Sequence, residues 1–295
     1  MSCGILAQPR RFIKQVWPSR QRAGIHFNVN PRGSVSSAGQ GSACRPARLA
    51  TFLLLVFCGC LSSVAALAQS PQPGGWSVGV GAVASSRPYP GSSSDVTPIP
   101  FLGYEGRRAY LRGLVAGLRQ AGPGESEFDV FVRARMQRYS SSDSPAVAGM
   151  DDRRRTAEAG VGLQVGPRWL RGRAQLARDV LGRHDGEELT LTASFPVFLR
   201  GTLISFIGGG SWQSSDLTSY YYGVRADEAT ATRPAYRPGA AWNWRAGVMM
   251  RRNLGPRWNA MLILQHEWLD SNLQDSPIVD GGRRWFGLVG ASYGF

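Results

Sequence analysis

Between residues 69 and 295 two histidines are the natural places to look for proton-transfer chemistry. His184-Asp185 lies in a Gly-flanked loop, and His266-Glu267 stands near a strand end beside Trp268 and Ser271. A serine hydrolase needs a serine, a histidine that takes its proton and an acid that orients the histidine. Neither neighbourhood spells out that set. The ordinary reading is one surface-loop histidine and one histidine at a membrane interface, with lipid hydrolysis kept as a remote alternative. All four cysteines (Cys3, Cys44, Cys58, Cys60) precede residue 69, which leaves residues 69–295 no thiol for a disulfide, a metal or a nucleophile. Gly208-Gly209-Gly210 resembles a phosphate loop only superficially. No helix start and no Lys-Ser/Thr follows, so the run is expected to relieve crowding or bend a strand. The loop acids Asp143, Asp151, Asp152, Asp270, Asp275 and Asp280 lack the spacing of a calcium loop and read as solvated charge, with divalent bridging to lipopolysaccharide as the alternative. No cofactor, metal site or catalytic residue is expected.

The arginines carry more pattern. Arg133 and Arg135, then Arg171 and Arg173, recur at every second residue, and Arg245 and Arg251 repeat that parity further on. A two-residue period is that of a β-strand whose faces meet different surroundings. In 130–138, Val130, Val132, Ala134 and Met136 share one face, while Phe131, Arg133, Arg135 and Gln137 share the other. The alternation returns in Ala157 to Val165, Leu170 to Leu176 and Leu189 to Phe195. Further runs occupy about 76–84, 98–105, 108–119, 202–213, 241–252, 256–268 and 285–295, making eleven candidate strands.

The elements before residue 69 are of another kind. Residues 49–68 form an apolar stretch preceded by Arg45 and Arg48 and closed by Ala66-Leu67-Ala68, the pattern of a cleaved export signal. The expected division is therefore a leader over 1–68 (basic extension 1–48, apolar region 49–65, cleavage near 68) and one domain over 69–295. An uncleaved anchor is the alternative, because the stretch is near the roughly 20 residues that span a bilayer. Arg10-Arg11 stands too far from the apolar region for a twin-arginine signal, and the residues before Cys60 are wrong for lipid attachment. The division also resolves the chain's charge of +14. Eight of the 34 basic residues and none of the 20 acids lie in 1–68, so 69–295 carries +6 and nucleic acid is not an expected partner. With 43% hydrophobic and 18% charged residues, the 295-residue chain is neither a polytopic helical membrane protein nor a disordered one.

A soluble sandwich also alternates, and three features favour a membrane barrel. Eight tryptophans (Trp76, Trp169, Trp212, Trp242, Trp244, Trp258, Trp268, Trp285) stand near strand ends, where aromatic girdles belong. Tight turns at 165–168, 199–202 and 253–256 alternate with long segments at 140–154, 180–187, 214–240 and 269–282. The chain ends on Trp285 to Phe295, with Trp285, Val289, Ala291, Tyr293 and Phe295 on one face; Tyr293 and Phe295 match the signal read by the outer-membrane assembly machinery. The fold expected is an all-β, closed antiparallel transmembrane β-barrel in the cell outer membrane. Eleven strands cannot close with an even count, so one is missing, within 76–126 or 214–240, and the expectation is twelve.

Several stretches then resemble a known family. They are Tyr89-Pro90-Gly91-Ser92 leading into Pro98 to Tyr104, Ala148 to Arg153, Trp212 followed by Tyr220 to Val224, Ala235 to Ala240, Asp275-Ser276-Pro277-Ile278-Val279 and the terminal Tyr293-Gly294-Phe295. In order and spacing they resemble the MltA-interacting protein (MipA) / OmpV family of Gram-negative outer-membrane proteins from Trp76 to Phe295. Where that family usually has Phe in Tyr-Phe-Gly-Val, this chain has Tyr222. The resemblance implies a non-enzymatic barrel that contacts outer-membrane lipid and lipopolysaccharide. It also implies a scaffold role between a lytic transglycosylase and a peptidoglycan synthase, or a pore or adhesin role as in other members.

The residues weigh these roles differently. The tight turns are short for a standard interface of about 800 Å² per partner, so a scaffold contact would use turn 120–126, the barrel rim or segment 69–75. Arg133, Arg135, Arg171, Arg173, Arg245 and Arg251 would make an anion-favouring lumen if water fills it. In a narrow barrel they would instead pair with Glu158, Asp179 and Glu267. Tyr220 to Tyr222 with Tyr236 are expected to pack the longest loop, or else to offer an external aromatic patch.

Overall fold

The computed structural model describes residues 75–86, 88–91 and 95–295; the leader with its cleavage point and Ser92 lie outside the described residues. Twelve strands follow in chain order: β1 (Gly75–Ser85), β2 (Asp95–Glu105), β3 (Ala109–Arg112), β4 (Val115–Ala121), β5 (Glu127–Arg135), β6 (Thr156–Val165), β7 (Arg171–Asp179), β8 (Glu187–Leu199), β9 (Thr202–Gln213), β10 (Ala241–Asn253), β11 (Trp258–Trp268) and β12 (Arg283–Gly294). Each pairs antiparallel with its chain neighbours, and β1 pairs with β12, so the sheet closes on itself. Closure leaves no sheet edge running the full height of the wall, as hydrocarbon demands.

The twelfth strand comes from 76–126. The run 108–119 is two strands, because Gly113, at φ 60°, turns the chain back and sets Val115 opposite Arg112. A side chain at that φ would be strained, and glycine is not. With an even count both termini share one end, where Ser77 faces Gly294 and the Phe295 N–H donates to the Trp76 carbonyl at 3.0 Å. The tight turns lie at this end too, and the long segments lie at the other.

The outward faces of the strands are apolar, because the outer solvent is lipid, and on β5 to β8 the inward faces are mainly polar. Val130 and Val132 are exposed while Phe131, Arg133 and Arg135 are buried. Among the described residues no helix is long and apolar enough to cross a membrane. Trp76, Trp258 and Phe295 are exposed at the terminal end, and Trp244, Trp268 and Trp285 at the other, forming two girdles. His266 sits in the second girdle, 4.6 Å from the Trp268 ring centroid. Gly209 marks a close approach of β9 to β8: a Cβ there would fall 2.1 Å from the Leu191 carbonyl oxygen.

The lumen has two chemistries. Val83, Ile99, Ile207, Met249, Ile263, Phe286 and Leu288 form an apolar cluster on the inner faces of β1, β2 and β9 to β12. The inner faces of β5 to β8 carry most of the buried ions, and Arg245, Glu267 and Arg284 add others on β10 to β12. The segment 214–240 holds no strand; it holds a helix, α1 (Ser215–Tyr222), and 269–282 holds one turn, α2 (Ser271–Gln274). Eight and four residues are too few to show a helical period in sequence.

Candidate functional site

Four buried side chains on β5, β6 and β8 form a closed ionic box. Arg133 Nε donates to Glu158 Oε2 at 2.6 Å and its Nη2 to Glu188 Oε2 at 2.5 Å. Arg135 donates through Nε to Glu158 Oε1, and through Nη2 to Glu188 Oε2 at 2.6 Å. Gln213 Nε2 adds a bond to Glu188 Oε1 at 3.2 Å, and His184 Nε2 lies 3.4 Å from Glu158 Oε1. Two guanidinia against two carboxylates cancel, so the densest part of the arginine cluster contributes no net charge. Nearer the termini, Arg173 Nη2 reaches both oxygens of Asp129 at 2.9 and 2.8 Å, and the Tyr110 hydroxyl donates to Asp129 Oδ2 at 2.5 Å. Across the lumen Arg284 pairs with Glu267, whose other register neighbour is the buried Arg245. Arg171 and Arg251 are half-buried.

The partner set differs from the one expected at Asp179, which pairs with no arginine among the described residues. It accepts the Thr156 hydroxyl at 2.5 Å and the N–H groups of Leu181, Arg183, His184 and Asp185 between 2.5 and 3.2 Å. A carboxylate at a strand end is organising the turn that follows it. His184 is correspondingly not a surface residue: its side chain is fully buried, and its Nδ1 accepts from the Gly186 N–H at 3.0 Å. Among the described residues no group of three or more His, Cys, Asp or Glu is arranged to hold a metal ion. The loop acids are spread over separate jobs. Asp270 caps α2 and also accepts from the Trp242 N–H, Asp152 takes the Ser140 hydroxyl, and Asp151 meets Arg225.

The long loops fold together into a cap. Tyr89, Tyr139, Val147, Met150, Val224 and Ile278 form one buried cluster, and Leu217, Tyr221, Tyr222, Ala241, Leu269 and Leu273 form another. Burial pushes the Tyr139 and Tyr221 phenols up from their ordinary range. Several of the family-like residues in the loops are cap residues. Tyr89 donates to the Tyr221 carbonyl at 3.4 Å, Ser276 donates to the Tyr222 carbonyl at 2.6 Å, Gly91 turns at φ 73°, Pro277 is half-buried and Asp275 ends α2. Arg153 and Glu228 make a buried pair at 2.7 Å. Burial works against the Glu228 carboxylate, but Arg153 and the N–H groups of Arg225 and Asp151 outweigh it and hold its pKa below the ordinary glutamate value. A cleft of about 860 Å³ opens on the cap, lined among others by Tyr220, Tyr236, Arg183, Arg237, Asp185 and Asp216.

The terminal end has a feature that the sequence pattern does not show. Arg107, Arg108, Arg168, Arg200, Arg252 and Arg257 are all exposed on its turns and strand ends, against one exposed acid there, Glu125. Arg200 forms the two-residue β8–β9 turn with Gly201, at φ 47° and 78°. That turn favours Asn or Gly, so an arginine is held there at a cost of about 1 kcal/mol. Tyr293 packs 5.3 Å from Trp258 and 5.4 Å from Phe295, and accepts from Arg257 at 2.8 Å.

A closed twelve-strand barrel with an apolar outer face, two aromatic girdles and a polar lumen is an outer-membrane β-barrel. The chain belongs to the MltA-interacting protein MipA family, whose model matches residues 78–295. It is 26% identical over 227 residues to the MltA-interacting protein of Escherichia coli K12, covering 75% of this chain and 91% of that one. It is 29% identical over 157 residues to the outer membrane protein OmpV of Vibrio cholerae, covering 53% of this chain and spanning only 60% of that relative's length. Among solved structures, the COG4313 outer membrane channel from Pseudomonas putida F1 aligns with a TM-score of 0.42 and 13% identity, over 76% of this chain and 97% of that one.

Proposed function

We propose that this chain is a non-enzymatic, non-conducting outer-membrane docking protein whose periplasmic rim holds a peptidoglycan hydrolase of the lytic transglycosylase class, and through it a peptidoglycan synthase. One observation carries the reading: six exposed arginines ring the end where both termini and the short turns meet, while buried lumen arginines are paired. No single turn is large enough to bind a protein, but a ring of turns is, and its charge would steer an acidic partner to it. The relative named MltA-interacting protein is the source of the partner class. The proposal includes export through the leader and its removal near residue 68, checked by the intact mass of the protein extracted from outer membranes.

The test is the affinity of the purified barrel for a lytic transglycosylase. Reversing Arg107, Arg108 and Arg252 to Glu is expected to weaken binding by about tenfold or more, with wild-type binding itself falling as salt rises. Binding indifferent to both changes would remove the rim from the account. Discrete single-channel currents in a planar bilayer would replace docking by a pore. A second reading, adhesion, draws on the cap cleft, where Tyr220 and Tyr236 stand beside Arg183 and Arg237.

A further inference from the structure

The barrel wall is incomplete on its outer half. β2 runs for eleven residues, but β3, its neighbour away from β1, has four. Only Gly103, Tyr104 and Glu105 find partners in β3, and the last bond across that edge joins the Gly113 N–H to the Leu102 carbonyl at 3.0 Å. On the other side of the hairpin, the last bond joins the Ala134 N–H to the Leu114 carbonyl at 3.1 Å. Beyond these bonds, among the described residues, 95–101 of β2 and the end of β5 have no ladder partner on their facing edges. Seven residues at roughly 3.3 Å each make this edge about 23 Å long, and at the hairpin β2 and β5 stand three strand spacings, roughly 14 Å, apart. Farther out the gap is roofed. Tyr89 meets Tyr139 edge-on at 5.1 Å and the Ser144 hydroxyl donates to the Pro90 carbonyl, joining the β1–β2 loop to the β5–β6 loop. The result is a window with the Gly113-Leu114 turn as its sill.

The window opens at the depth of lipid tails. Ser86 bonds to Trp285 of the outer girdle and Ser85 faces Asp95, while Trp76 of the inner girdle faces Tyr104. Val96 to Leu102 therefore lie between the girdles. The edge and sill are apolar, with Val96, Leu102 and Leu114 exposed, and Val132 is exposed just below the sill opposite Ala116.

The edge is unsuited to a protein strand. Because the Leu102 carbonyl faces the hairpin, alternation points the backbone groups of Pro100, Pro98 and Val96 the same way. Proline has no N–H, so two consecutive donor positions on this edge are empty, and an added strand could not complete its ladder. The same deletion removes two donors that hydrocarbon would leave unsatisfied. We propose that the window seats the hydrocarbon chain of an outer-leaflet lipid, held between β2 and β5 above the Leu114 sill.

The test places a photoreactive benzophenone side chain at Leu114 in the full-length chain made in its outer membrane, with Val289, exposed on the complete wall of β12, as control. The protein is extracted, exchanged through detergent, irradiated and analysed by mass spectrometry. About tenfold more lipid adduct at Leu114 than at Val289 is expected, a difference of about 1.4 kcal/mol in retention. With the probe at Val132 instead, Leu114→Lys is expected to abolish the adduct in protein that still shows folded, heat-modifiable gel mobility. Equal adducts at Leu114 and Val289, no adduct in folded protein, or an adduct to a polypeptide would each overturn the proposal, the last in favour of a protein partner at this edge.

Discussion

Arg133 and Arg135 each bridge Glu158 and Glu188 with the four side chains almost wholly out of solvent. Such a box adds little net stability as a whole, yet losing one member strands an opposite charge in the interior. Glu158→Gln is therefore expected to destabilise the folded barrel by about 3–5 kcal/mol in urea titrations followed by gel mobility. The exposed Arg154→Gln is expected to stay within about 0.5 kcal/mol of wild type. Equal midpoints for Glu158→Gln and wild type would mean that the box is wet and weakly coupled. Three of its four members were legible: Arg133, Arg135 and Glu158 follow from alternation. Asp129 shares the parity of Phe131 and was one residue outside the recognised run. Glu188 shares the parity of the buried Thr190 and Thr192 and likewise stood one residue outside the recognised run Leu189 to Phe195.

At the scale of elements, the cap is held by loop-to-loop bonds rather than by its helices, which are too short to be stable alone. Arg153 from the β5–β6 loop and Glu228 from the β9–β10 loop tie two of its parts together. The folded pKa of Glu228 is depressed, so its contribution is complete above the unfolded value of about 4.3 and is lost as pH falls through the folded value. Proteolytic cutting within 214–240 is expected to stay constant between about pH 5 and 8 and to rise below about pH 4, with the barrel intact. Glu228→Gln is expected to raise cutting already at neutral pH. An unchanged pattern would leave the cap to its aromatic clusters alone. The loops were legible as loops, but their pairing was not, because Arg153 and Glu228 are 75 residues apart.

For the whole molecule, closure is one event, the pairing of β1 with β12, which ends with Phe295 bonded to Trp76. Tyr293 and Phe295 stand beside Trp258 at the girdle of the terminal end, where we propose that an assembly factor reads them before closure. Deleting Phe295 is expected to cut the yield of heat-modifiable barrel in outer membranes severalfold. The yield on refolding in detergent is expected to change little, which separates recognition from stability. Equal losses in both settings would assign Phe295 to the wall itself.

By itself the sequence determined the class of object: alternation set which face meets lipid, tryptophans marked the ends of the wall, turn residues marked where strands stop, and an even count required a strand that Gly113 supplies. These are properties of neighbours in the chain, and a period of two exposes them. The tertiary structure decided what residues far apart do together. Turn arginines from Arg107 to Arg257 became one rim, ions on three strands became one neutral box, and a short hairpin became a window. Closing the sheet sets which strands adjoin and at what register, and that geometry places charges and gaps that no local pattern records.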